Sequence, residues 1–127
     1  MTTPGDDPTR GRVAVFGDVG GHAKQLRRAL VALGAAPDTL TLPPDLTIVQ
    51  VGDLIHRGPD SPGVIEIVRR MLDDQPRQWV QLAGNHEAQY LTPPKFHWPE
   101  RLPQADLETL FEWWGHRRMR VLSLIHI

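Results

Sequence analysis

The 127-residue chain contains no cysteine. That excludes disulfides and thiolate metal sites and leaves any metal to His, Asp, Glu or Asn. Such donors favour hard or borderline ions: Mn, Fe, Mg or Zn. Strong charge of one sign is also lacking. The formal net charge is −1, so no global basic field directs the chain to nucleic acid. The one basic cluster, Arg117-Arg118-Met119-Arg120, is short and reads as a solvated helix end. No apolar run approaches the ~20 residues of a membrane span, and the polar residues 1–12 do not resemble a signal peptide. A cytoplasmic location with no membrane partner is the expectation. Gly-x-Gly-x-x-Gly and the Walker lysine motif are absent, which argues against the common nucleotide-binding loops. What remains is ordinary globular composition, 40% hydrophobic and 23% charged, in a length suited to one small domain or part of a larger one.

The pattern along the chain predicts α/β architecture. Residues 1–11 read as a disordered lead-in. Residues 12–16 are a short apolar run ending in Gly17-Asp18, a first strand. After Gly20-Gly21, residues 23–33 place Ala23, Leu26, Leu30 and Leu33 on one helical face, with Gly34 as the C-cap. A proline-containing loop leads to a second strand over residues 46–51. Ser61-Pro62 reads as an N-cap followed by proline at the first helical position. Val64, Ile65, Val68, Met71 and Leu72 then form a buried face, and that helix stops before Pro76. Residues 78–82 form a third strand. The order is β-α-β-α-β, with helices long enough to connect parallel strands. Right-handed crossovers place all three strand C-termini along one sheet edge, where open α/β sheets bind ligands. Residues 92–103 hold four prolines and read as a long loop. A further helix over residues 106–115 puts Leu107, Leu110, Phe111 and Trp114 on one face.

Three chemical segments terminate the three strands. They are Gly17-Asp18-Val19-Gly20-Gly21-His22, Gly52-Asp53-Leu54-Ile55-His56-Arg57-Gly58 and Gly84-Asn85-His86-Glu87. Each opens on glycine, which lets the backbone turn sharply. Each then presents an oxygen donor: Asp18, Asp53 or Asn85. Two carboxylates and an amide converging on one point call for a cation. Paired cations ~3.5–4 Å apart, with Asp53 between them, clamp the attacking and leaving oxygens of a phosphoryl transfer. A single Gly-Asp is an ordinary turn. Three at consecutive strand ends are a pattern.

These segments resemble the calcineurin-like metallophosphoesterases, in particular the phosphoprotein-phosphatase and bacterial diadenosine-tetraphosphatase branch. That branch carries Gly-Asp-x-His-Gly, Gly-Asp-x-x-Asp-Arg-Gly and Gly-Asn-His-Glu. The resemblance spans residues 13–91. It implies a sheet layered with helices, four layers (α/β/β/α) in the full family, of which this chain holds the front part. It also implies two divalent metal ions and a phosphorylated substrate: a small molecule, a dinucleotide or a phosphoprotein. Asp18 would hold the first metal, Asp53 would bridge both and Asn85 would hold the second. His86 would protonate or stabilise the leaving oxygen. Arg57 would bind phosphate oxygens with its planar fork. A metal-activated water would attack in line, without a covalent intermediate.

Two positions depart from the family pattern. Gly20 stands where the family has a ligand histidine, and His22 lies two residues further on. In extended chain that is a displacement of ~6–7 Å, so His22 can substitute only if Gly20-Gly21 curls back. His56 stands where the family has an aspartate that orients the histidine equivalent to His86. Either His86 then acts as a weaker acid, or a neutral His56 fixes its tautomer. Asp60 is a distant alternative source of the missing carboxylate. The family's two further downstream histidines have no counterpart. His97 reads as packing or surface, His116 as a helix end suited to the dipole. His126 belongs to residues 122–127, which resemble translated sequencing adapter and form a non-native tail; the alternative is a native terminal strand. Trp98, Trp113 and Trp114 are candidates to line a cleft, with Trp114 favoured as core. The family domain is thus expected over residues 12–121. The parent protein is expected to be a metal-dependent phosphoesterase, and these 127 residues alone weakly active or inactive. The alternatives are a non-catalytic metal- or phosphate-binding module of the same fold, or an inert truncated fragment.

Overall fold

A computed structural model describes residues 11–84, 86, 87, 90 and 102–120. The rest of the expected lead-in, Asn85, residues 92–101 of the expected loop (with His97 and Trp98) and the tail with His126 lie outside the described residues. The elements run β1 (Arg12–Phe16), α1 (Ala23–Ala32), β2 (Leu46–Gln50), α2 (Ser61–Asp74), β3 (Trp79–Leu82), α3 (Gln104–Gly115) and β4 (Met119–Arg120). The strands form one sheet in the order β1-β2-β3-β4, parallel throughout. Their carboxyl ends therefore share one edge, as the alternation of strand and helix predicts.

Alternation along the strands separates two faces. Leu46, Ile48 and Gln50 of β2 are buried, as are Trp79 and Gln81 of β3. Onto this face pack Leu26 and Leu30 of α1, Val64, Ile65, Val68 and Met71 of α2, and Leu110 and Trp113 of α3, in one cluster. The opposite face carries valines. Val13 is 67% and Val15 65% exposed, and Val80 and Val51 are exposed as well.

Helix ends follow from local chemistry. Gly34, at φ +113°, takes the turn after α1, and its N–H reaches the Val31 carbonyl at 3.0 Å. The start of α2 differs from the expected cap. Asp60 caps it, with Oδ1 accepting from the Gly63 N–H at 2.9 Å. Ser61 is the first helical residue, and its hydroxyl instead accepts from the His56 N–H at 2.9 Å. With the Ser61 hydroxyl engaged by the His56 N–H, the helix N–H falls to the carboxylate one residue earlier. Asp60 is thus spent on the helix and does not replace a carboxylate beside His86.

The expected face of α3 is rotated. Trp113 is buried, Trp114 only partly so, and Phe111 is 51% exposed. The fourth strand explains the shift. Residues read as a solvated basic helix end include β4, which pairs with β3. Met119 of that strand is buried in the same cluster as Trp113. Arg118 anchors the turn before it by pairing with Asp73 of α2 at 2.9 Å. Tertiary pairing overrides the local charge pattern here.

Candidate active site

The three strand-end segments meet. The first, residues 17–22, bends through Gly20 (φ +51°) and Gly21 (φ +72°). The His22 N–H closes the turn on the Val19 carbonyl at 3.1 Å. Two consecutive positive φ angles at the centre of such a turn match type I′, which glycine adopts without strain. The curl that His22 needs is therefore present. His22 lies on the wall of the same cavity as Asp18 and Asp53.

Backbone bonds lace this segment to the second one. The Val19 and Gly20 N–H groups both donate to the Asp53 carbonyl, at 3.0 and 2.9 Å, and Gly21 N–H donates to Leu54 at 2.8 Å. In return Gly58 N–H donates to Gly20 at 2.6 Å and Asp60 N–H to Gly21 at 2.9 Å. The approach is too close for side chains. A Cβ on Gly21 would lie 2.9 Å from the Gly58 carbonyl oxygen. Gly20 thus belongs to a clasp between the loops.

The second segment bends differently. Asp53, His56 and Arg57 have φ values of +56°, +72° and +69°. Non-glycine residues adopt this region at a steric cost, which concentrates at functional sites. The fold supplies the restraint. Gln50, buried at the end of β2, accepts from the Gly52 N–H at 2.8 Å and donates to the Gly52 and Gly17 carbonyls at 2.7 and 3.0 Å. Gln81 on β3 donates to Gln50, and Trp79 Nε1 donates to Gln81 at 2.9 Å. A buried amide chain thus ties the starts of the first two loops to β3.

Glu87 is the second restraint. It is fully buried. Its carboxylate accepts from the N–H groups of Asp53 (2.7 Å), Leu54 (3.0 Å) and Gly84 (2.9 Å). One side chain therefore fixes the ends of β2 and β3 together. Burial pushes its carboxyl up to about 7, opposed by the hydrogen bonds from Gly84, Asp53 and Leu54 and helped by the nearby Asp53 charge. Asp53 Oδ1 in turn accepts from the His86 N–H at 3.1 Å.

His86 and His56 touch through their Nδ1 atoms at 2.9 Å, and His56 Nε2 lies 2.8 Å from the Tyr90 hydroxyl. The two imidazoles meet edge to face, with centroids 5.2 Å apart. His56 thus stands against His86, as its place in the motif predicts.

A cavity of about 140 Å³ is lined by Asp18, Val19, Gly20, His22, Asp53, Ile55, Arg57 and His86. Every candidate site residue but Asn85, which lies outside the described residues, borders it. Its carboxylates and imidazoles, without thiolate, are the donor types that suit a hard or borderline divalent ion. Among the described residues, no group of three His, Asp or Glu is drawn together as a metal-holding cluster. A larger cavity of about 580 Å³ opens beside Asp18 and His22, walled by Phe16, Gln25, Leu26 and Ala29.

Three contributors escaped the sequence reading. Gln50 had a signal, being a lone amide on the buried parity of an apolar strand. Glu87 sits inside the third motif. Tyr90 lies four residues after His86, one helical turn on, and both lie on helical backbone. Among the described residues no helix is long and apolar enough to cross a membrane.

Comparison with known proteins agrees with the loops. The chain matches the calcineurin-like phosphoesterase family over residues 11–122. No curated protein and no solved structure matches it. Members of that family are hydrolases of phosphoesters that depend on divalent metals. With that match over most of its length, the chain belongs to the calcineurin-like phosphoesterase family.

Proposed function

We propose that this protein hydrolyses a phosphate ester or anhydride with two divalent ions, Mn, Fe, Zn or Mg. The carrying observation is the shared cavity. Loops from three strands bring Asp18, His22, Asp53, Arg57 and His86 to one space of about 140 Å³. Asp18, His22, Asp53 and Asn85 would hold the ions. Bound there, the ions supply charge neutralisation and an activated water. The chain's own residues do the rest. Arg57 offers a fork of N–H donors for the non-bridging phosphate oxygens. His86 stands for protonation of the leaving oxygen, held by its N–H bond to Asp53. Gly20-Gly21 brings the imidazole of His22 back to the cavity that a histidine at position 20 would otherwise serve.

The motif forms support the phosphoprotein-phosphatase and diadenosine-tetraphosphatase branch, and with it a phosphorylated small molecule, dinucleotide or phosphoprotein as substrate in the cytoplasm. A non-catalytic binding module of the same fold is the second reading. What favours it is that Gly20 stands where the family has a ligand histidine and His56 where it has an aspartate. An assay of p-nitrophenyl phosphate hydrolysis with Mn²⁺ tests the proposal. For these 127 residues weak or no turnover is expected, because the set lacks the family's downstream histidines. Any turnover should be lost with Asp53→Asn. Turnover that survives Asp53→Asn contradicts the proposal.

A further inference from the structure

The amide chain behind the loops has a direction. Gln50 and Gln81 stand opposite each other in the register of β2 and β3, and both are fully buried. An apolar side chain would suit that face of β2, which otherwise carries Leu46 and Ile48. An amide is tolerated there only when its polar atoms are matched, and they are. Trp79 Nε1 can only donate, and it gives its hydrogen to Gln81 Oε1 at 2.9 Å. Gln81 Nε2 therefore faces the other way. It donates to Gln50 Oε1 and, at 2.9 Å, to the Leu82 carbonyl. Gln50 Oε1 also accepts from the Gly52 N–H at 2.8 Å. Both hydrogens of Gln50 Nε2 are left for two carbonyls, Gly17 at 3.0 Å and Gly52 at 2.7 Å.

Those carbonyls have a particular place in the chain. The Gly17 carbonyl belongs to the peptide unit that leads into Asp18. The Gly52 carbonyl belongs to the unit that leads into Asp53. A peptide unit is planar, so holding its oxygen restricts where the next Cα sits. One planar NH₂ group thus holds the two units that carry the two aspartates. It does so where the register of β1 and β2 ends, at Phe16 opposite Gln50. The side chain takes over from the backbone ladder as the loops begin.

On the reading of Asp18 and Asp53 as metal carriers, we propose that Gln50 is a positioning residue that sets the spacing of these two aspartates. Gln81 and Trp79 hold its amide in the orientation that does so. Gln50 does not line the cavity shared by the loops, so it acts through the aspartates and not on an ion. Two carboxylates already held at a fixed separation lose less freedom when a cation joins them. The lone amide on an apolar strand therefore serves metal affinity, at a distance from the metal.

Calorimetric titration of Mn²⁺ into the full chain, its Gln50→Met variant and an Ile48→Ala control tests this. Methionine keeps the length of the side chain and removes its hydrogen-bonding amide. Ile48 lies on the same buried face of β2 and has no polar side-chain atom. Mn²⁺ affinity should fall about tenfold or more in Gln50→Met and stay within about twofold in Ile48→Ala, although both variants lose stability. Equal weakening in the two overturns the proposal, as does full affinity in Gln50→Met. If Gln50→Met does not fold, Gln81→Met carries the test. It should weaken binding about threefold or more, and full affinity overturns the proposal. Amide hydrogen exchange without metal gives a second readout. The Val19 and Gly20 N–H groups cross to the Asp53 carbonyl. Relative to the helical amides of α2, they should exchange about tenfold faster in Gln50→Met and unchanged in Ile48→Ala. Unchanged relative exchange in Gln50→Met overturns the proposal. If exchange changes as expected but the unaltered chain binds no Mn²⁺, the positioning stands and the metal reading fails.

Discussion

The first two strand-end loops solve one problem in opposite ways. Both must leave a parallel strand and turn back over its carboxyl edge. Residues 17–22 do so with Gly20 and Gly21, which take positive φ at little steric cost. Residues 52–58 do so with Asp53, His56 and Arg57 in the same region of backbone space. The first loop gives up side chains at its bend and recovers one, His22, at its end. The second keeps three side chains of the candidate site and bends through them. Strain is held at the candidate site, and glycine is placed where the neighbouring backbone must pass.

The comparison breaks most severely if the clasp is filled. Gly21→Ala puts a Cβ 2.9 Å from the Gly58 carbonyl oxygen at φ +72°. It should cost about 3 kcal/mol or more, read as a lowered urea midpoint. An unchanged midpoint would show that the loops are not clasped.

Glu87 sharpens the picture through pH. Its carboxyl is raised to about 7 by burial, above its unfolded value. The folded state therefore binds a proton that the unfolded state releases. Its contribution is fully present below the unfolded value and is lost as pH rises to about 7. Metal-free stability should fall over that window by on the order of 2 kcal/mol. Glu87→Gln should flatten the slope in urea titrations run across it. A slope that persists in the variant assigns it elsewhere.

The smallest effect is expected in the strained loop. Arg57→Gly relieves a positive-φ position while losing the contacts of that side chain, so it should cost less stability than Gly21→Ala, while phosphate-dependent protection against thermal unfolding disappears. Destabilisation of the size expected for Gly21→Ala would erase the contrast between the loops.

Most of the fold was legible because hydrophobic period and glycine punctuation are local. The strand–helix alternation, the buried faces of α1 and α2 and the gathering of Asp18, Asp53 and His86 at one edge all follow from it. What was not legible is non-local. Met119–Arg120 becomes a strand only because β3 offers it an edge. Trp113 rather than Trp114 turns inward because Met119 is there to meet it. Asp60 takes the cap from Ser61 because the His56 N–H engages that hydroxyl. At the site, the motif placed His56 beside His86, but the Tyr90 hydroxyl behind it depends on a helical turn that no strand-end motif encodes.

The central claim is that the three loops form one divalent-cation site with Asp53 at its centre. Asparagine tolerates the left-handed backbone as well as aspartate does, so Asp53→Asn changes charge while keeping the bend. Calorimetric titration of Mn²⁺ into the chain and into that variant is the direct measurement. Binding in the parent that weakens at least about tenfold in Asp53→Asn, a loss of roughly 1.4 kcal/mol or more, is the predicted result. Equal affinity in the two proteins, or no binding by a folded parent, would contradict it.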